Sequence, residues 1–134
     1  QGQNGSKRGR WMEKEKIDRR KIGTAYEQEA VLFLKQKGYR IIARNYYCKQ
    51  GEIDIIAVDQ NYLVFVEVKY RSKKKSTSAL EAVTLQKQRH IIRSAQCYLY
   101  QNGYPEDTPC RFDVIAIQGD TMQHIVNAFE SYFM

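Results

Sequence analysis

At 134 residues, 43% apolar and 28% charged, the chain has the length of one domain, which at this size buries roughly two-thirds of its unfolded surface around a single core. No apolar run approaches the length of a bilayer span and no secretory hydrophobic region is present, which excludes membrane-spanning and exported classes and leaves a cytoplasmic protein as the expectation. The formal charge is +7, a basic balance that excludes an acidic solvating tail.

Residues 1–11 are rich in Gly, Gln and basic side chains and show no apolar period, whereas Met12 opens a charged, helix-compatible stretch. Residues 1–11 are therefore read as an appended or disordered segment, and 12–134 as a single domain. Lys7, Arg8 and Arg10 belong to that segment, so the domain's own charge is 7 − 3 = +4, a modest basic bias. Cys48, Cys97 and Cys110 form no C-x-x-C pair, and His90 and His124 are the only histidines. That is a poor zinc framework and fits a reducing compartment.

From Gly23 to Lys37 apolar residues recur at helical spacing, with Ala30, Val31 and Leu34 on one side, Tyr26 and Phe33 flanking, and Gly38 as a stop. Three β-prone runs follow, Tyr39 to Tyr47, Ile53 to Val58 and Tyr62 to Lys69, divided by Lys49-Gln50-Gly51 and Asp59-Gln60-Asn61; they read as an antiparallel meander. A basic stretch, Arg71 to Ser78, reads as a solvated loop. A second helix is expected from about Leu80 to Tyr100, with Val83, Ile91, Ala95 and Tyr98 along one stripe. Cys110 to Ile117 is another strand, and Met122 to Phe129 a last one after the Gly119-Asp120 turn. This order gives an α/β domain, a mixed sheet flanked by helices.

Period-2 alternation sends Leu63, Phe65, Glu67 and Lys69 to one face of their strand. A two-residue turn at Gln60-Asn61 sets Val58 opposite Leu63, Ile56 opposite Phe65 and Asp54 opposite Glu67. Two carboxylates within about 5 Å at Cβ repel unless a cation sits between them. Mg²⁺ or Mn²⁺ is the cation suited to such oxygen donors plus waters and phosphate oxygens. Lys69 then stands where it can orient or deprotonate an attacking water. Alone, Glu67 and Lys69 would be a strand-end ion pair of little energetic value; Asp54 in register makes them a candidate site. Glu27 precedes Val31 by four, on the apolar stripe of the first helix, and Lys87 has the matching position on the second, within reach of a carboxylate or a phosphate. Arg71, Lys73, Lys74, Lys75 and Lys87 are the candidate nucleic-acid contacts, interleaved with aromatics. Glu52 reads as a turn residue, and Asp113 receives no role.

Gly51-Glu52-Ile53-Asp54, then Val66-Glu67-Val68-Lys69 with Arg71 after it, preceded by Gly23-x3-Glu27-x2-Ala30 and followed by Glu81-Ala82-Val83-x3-Lys87 and Arg111-Phe112-Asp113-Val114, resembles the YraN-type predicted endonucleases. These are similar to the Holliday-junction resolvases of the PD-(D/E)XK restriction-endonuclease-like superfamily. The resemblance covers about Lys21 to Phe129. It implies a restriction-endonuclease-like αβββαβ core, Mg²⁺-dependent phosphodiester hydrolysis of DNA, branched or junction DNA included, and catalytic positions at Glu27, Asp54, Glu67 and Lys69. The metal would be held by Asp54, Glu67 and the Val68 carbonyl. Such proteins usually have Gly just before the helical Glu, where this chain has Tyr26, so Glu29 is the fallback for Glu27. Related resolvases work as dimers, which makes a homodimer a further expectation. Two readings of other classes compete: a nucleic-acid-binding module of the same fold that cuts nothing, and a protein-interaction module that docks an acidic partner on the basic loop.

Overall fold

The computed structural model describes residues 20–71 and 83–131. In chain order these form α1 (residues 20–36), β1 (Arg40–Cys48), β2 (Gly51–Asp59), β3 (Tyr62–Arg71), α2 (Leu85–Gln101), β4 (Cys110–Gln118) and β5 (Thr121–Ile125). The strands make one five-stranded sheet in the order β1-β2-β3-β4-β5. It is mixed, because β3 and β4 run parallel while every other neighbouring pair is antiparallel. This is the αβββαβ order of a restriction-endonuclease-like core, closed by one added edge strand.

Each helix covers one face. Ala30, Val31 and Leu34 of α1 pack with Ile55, Ala57, Val64, Val66, Ile115 and Ile117. On the opposite face Ile91, Ile92, Ala95 and Leu99 of α2 pack with Ile56, Leu63, Phe65, Phe112 and Val114. β3 and β4 are the most enclosed strands, buried without interruption from Leu63 to Glu67 and from Phe112 to Ile117, as expected for strands covered on both faces. Gly38 ends α1 with φ 94, and the Tyr39 N–H returns to the Leu34 carbonyl at 3.0 Å, a left-handed helix stop that glycine adopts without strain.

Several boundaries differ from the sequence expectation. β2 begins at Gly51, so Glu52, read as a turn residue, lies within the strand opposite Tyr47, and β3 runs on to Arg71, the first residue of the expected loop. The second helix begins at Leu85 rather than near Leu80, because Thr84 is extended (φ −65, ψ 162) and its side chain accepts the Lys87 N–H as an N-cap. Val83 is still buried, but just outside the helix. The last strand stops at Ile125 rather than reaching Phe129. Asn127 takes φ 54 and turns the chain back, its N–H donating to Asp113 Oδ1 at 3.0 Å, and Phe129 stacks on Phe112 instead of extending the ladder. The readings of residues 1–11 and of Lys73, Lys74 and Lys75 lie outside the described residues. Among the described residues no helix is long and apolar enough to cross a membrane.

Candidate metal and nucleic-acid site

β2 and β3 are paired from Asp59↔Tyr62 to Ile55↔Val66, with Val58↔Leu63 and Ile56↔Phe65 in the expected register. The ladder then stops one residue short of Asp54 and Glu67. Beyond that point β2 stays with β1 as far as Cys48↔Gly51, and β3 stays with β4 as far as Arg71↔Gln118. The two central strands therefore diverge at the two acids and open a wedge between residues 51–54 and 67–71.

Asn45 of β1 marks an irregularity at the same level. It takes φ 51, a left-handed conformation open to Asn at modest cost. It would stand across from Asp54, yet the β1–β2 pairs recorded on either side are Arg44↔Ile55 and Tyr46↔Ile53. The side-chain alternation of β2 is interrupted at the same place. Ile55 and Ala57 face α1, whereas Ile53 joins Ile56 on the α2 side.

At the vertex, Asp54 Oδ2 accepts the Val68 N–H at 2.8 Å. Ladder alternation turns the N–H and C=O of the even-numbered β3 residues toward β2, so the Val68 carbonyl faces the same side. Glu67 is only 6% exposed. Burial, together with the Asp54 carboxylate within hydrogen-bonding reach, raises its pKa far above the ordinary carboxylate range, against a partial pull downward from Lys87. Lys87 Nζ stands 3.4 Å from Glu67 Oε2. The carboxylate alternative that the sequence allowed for Lys87 is thus the contact it makes.

Glu27 of α1 reaches the same place. Its pKa is raised by burial and by the charges of Asp54 and Glu52, and lowered by Arg44 and by a hydrogen bond with Asn45. Glu52 is raised by burial and by Asp54, and lowered by Lys87 and by a hydrogen bond with Tyr47. Asp54 is thus the common neighbour of Glu27, Glu52 and Glu67. Glu29, the fallback for Glu27, is exposed on α1. Lys69 is half-buried at the end of β3, beside Ala116 of β4; the pleat sets it on the Glu67 face about 7 Å further along the strand. Arg71 closes β3, half-buried.

Among the described residues no group of three His, Cys, Asp or Glu side chains could by itself hold a metal ion. The oxygens that could serve a cation at the vertex are two carboxylates and a main-chain carbonyl, a set that a hard divalent cation would complete with waters. Two acids forced together in a desolvated place, one with its pKa raised, form a site that a divalent cation would relieve.

Three features escaped the sequence reading. Asn45 gave no pattern signal, since a left-handed residue inside a strand is visible only in the backbone. The Tyr26 and Tyr70 rings stack at 4.2 Å and 16° although 44 positions separate them. Asp113, fully buried, binds Arg111, His124, Tyr39 and the Asn127 N–H. Burial alone would raise its pKa, but the hydrogen bonds from His124, Arg111 and Asn127 hold it down at about 2. This network ties β4 and β5 to the start of the sheet and lies away from the wedge. A separate hollow of about 370 Å³, bordered by Gln96, Leu99, Tyr100, Tyr104, Pro105 and Glu106, lies at the other end of α2 and holds one acid rather than a group of them.

The profile of the family described as "Uncharacterised protein family UPF0102" matches residues 26–117. The chain is similar to a UPF0102 protein of Lachnoclostridium phytofermentans, 50% identical over 110 residues that cover 82% of this chain and 93% of that protein. A UPF0102 protein of Chlorobium phaeobacteroides is 48% identical over 81% of this chain and 93% of its own length. One from Francisella tularensis is 46% identical over 81% and 93%. The matched span holds every acid and cation of the wedge, from Glu27 to Arg71 and Lys87, and on this footing the chain belongs to the UPF0102, or YraN, family.

Proposed function

We propose that the chain is a metal-dependent endonuclease that hydrolyses phosphodiester bonds in DNA in the cytoplasm. The observation that carries this reading is the Glu67 carboxyl, buried against Asp54 at the point where β2 and β3 part. Lys87 and the Val68 N–H each satisfy one of the two acids in part, and a divalent cation between them would relieve the repulsion that remains.

Asp54, Glu67 and the Val68 carbonyl would hold Mg²⁺ or Mn²⁺, which supplies positive charge at the phosphate and makes a bound water more acidic. Asp54 is fixed by its bond to the Val68 N–H, and Lys87 holds the Glu67 carboxyl in the wedge. Lys69, on the Glu67 face, orients the attacking water and takes part in removing its proton. Glu27 supports the site from α1. Water oxygen bonds to phosphorus as the ester P–O bond breaks, and the leaving oxygen picks up a proton from solvent. No covalent enzyme intermediate is required. Arg71 and the basic residues that follow it in sequence carry phosphate contacts.

The test is cleavage of labelled duplex, single-stranded, flapped and four-way-junction DNA with Mg²⁺ or Mn²⁺, comparing the unaltered chain with Asp54→Asn and Lys69→Ala. Metal-dependent cutting that disappears in both variants, with DNA binding retained, is the expected result. Binding that falls steeply with salt, without cutting of any substrate, would replace this reading with that of a non-catalytic binding module.

A further inference from the structure

The stack of Tyr26 on Tyr70 joins the two elements that deliver the site. Tyr26 immediately precedes Glu27 on α1, and Tyr70 immediately follows Lys69 where β3 has parted from β2 but still pairs with β4. Ring centroids 4.2 Å apart and an interplanar angle of 16° make this a face-to-face stack. The two rings are unequal. Tyr26 packs against the α1-side core, whereas Tyr70 is 47% exposed, and Tyr26 is its only ring contact among the described residues. Here the inner ring braces the outer one, and the outer ring offers a face to solvent between two cationic neighbours in sequence, Lys69 and Arg71.

We propose that the Tyr26–Tyr70 stack is a platform for an unpaired nucleobase close to the cleaved bond, so that the chain acts on DNA with an unpaired strand, such as a flap or branch point, rather than on continuous duplex. This inference rests on the nuclease reading and names its substrate class. The placement fits: Tyr70 lies three residues beyond Glu67, so the pleat turns its ring to the α1 face and onto Tyr26, the neighbour of Glu27. In continuous duplex both faces of a base are already stacked on its neighbours, so only an unstacked base can lie on Tyr70. Stacking tolerates any base, which suits a site with no base-reading helix.

The experiment uses the full chain carrying Asp54→Asn, without divalent metal, so that binding is read apart from cleavage. Single-stranded and blunt duplex oligonucleotides carrying 2-aminopurine are titrated by fluorescence and anisotropy. Quenching of the probe in the single strand is expected, and it should persist with Tyr70→Phe and vanish with Tyr70→Leu. Single-strand affinity should fall about 5- to 100-fold with Tyr70→Leu while duplex affinity stays within about twofold. The leucine retains apolar bulk, and the Phe variant and an unchanged duplex affinity certify the fold. Equal loss on both substrates, or no loss on either, overturns the platform. Cleavage that fails in the unaltered chain while quenching survives sinks the nuclease reading and leaves the platform; duplex cut as well as a flap, and unaffected by Tyr70→Leu, does the reverse.

Discussion

Asp54 Oδ2 accepts the Val68 N–H at 2.8 Å, so a side chain of β2 occupies the place where the ladder would put a main-chain carbonyl. The bond closes the vertex of the wedge and leaves the strands beyond it free to separate. It also gives Asp54 a structural duty in addition to the proposed catalytic one.

That double duty separates two substitutions. Asp54→Asn retains an acceptor oxygen and should unfold within about 0.5 kcal/mol of the unaltered protein in urea. Asp54→Ala leaves the Val68 N–H unsatisfied and should cost about 1–3 kcal/mol. Both should abolish cleavage. Equal stability of the two variants would show that the bond is not formed in solution.

The raised pKa of Glu67 fixes the sign of a pH effect. In the metal-free folded chain Glu67 keeps its proton above the ordinary carboxylate range, while in the unfolded chain it loses it near about 4.3. The folded state therefore binds more protons, and this contribution to stability, full below about pH 4, declines as pH rises toward the folded pKa. Thermal unfolding in EDTA should show a Tm that falls between about pH 5 and 8, with a smaller slope in Glu67→Gln. Mg²⁺ displaces the same proton, so its affinity should rise with pH over this window. An unchanged slope in Glu67→Gln would assign the effect to another group.

Asn45 is open to a paired test of backbone and side chain. Asn45→Gly keeps φ 51 accessible but removes the hydrogen bond to Glu27, so stability should change little while cleavage drops. Asn45→Val is strained in that conformation, at about 1–3 kcal/mol, and should lose both. Urea midpoints read alongside cleavage rates distinguish the two contributions. A valine as stable as the glycine would mean that the strand does not need this conformation.

Asp113→Asn should be among the most destabilising single-atom exchanges in the chain. It removes the charge that pairs with Arg111 Nε at 2.9 Å in a fully buried setting; breaking such a pair costs about 3–5 kcal/mol. Because Asp113 is held down at about 2, below the usual value of about 3.9, its contribution is present above about pH 4 and is lost as pH falls toward 2. Acid titration of stability should lose that limb in the Asn variant.

Much of this architecture was legible in the residues. The stripe Ala30, Val31, Leu34 marked one core face, and the alternation around Phe65 placed Val58 opposite Leu63 and Ile56 opposite Phe65. Those features follow from local periodicity and from a two-residue turn, both properties of near neighbours in the chain. The motif residues Glu27, Asp54, Glu67 and Lys69 could be named for the same reason, and the structure brings Glu27 and Glu67 to Asp54.

Only tertiary structure decided what those residues touch. Extending the hairpin register put Asp54 directly opposite Glu67, but the β2–β3 ladder ends at Ile55↔Val66 and Asp54 bonds to the Val68 N–H instead. The choice of Lys87 between a phosphate and a carboxylate depended on where α2 lies over the sheet. The stack of Tyr26 on Tyr70 and the partners of Asp113 join segments far apart in sequence. Periodicity reports which face a side chain points to; which groups meet on that face depends on packing between distant elements, and that is where the chemistry of this chain is set.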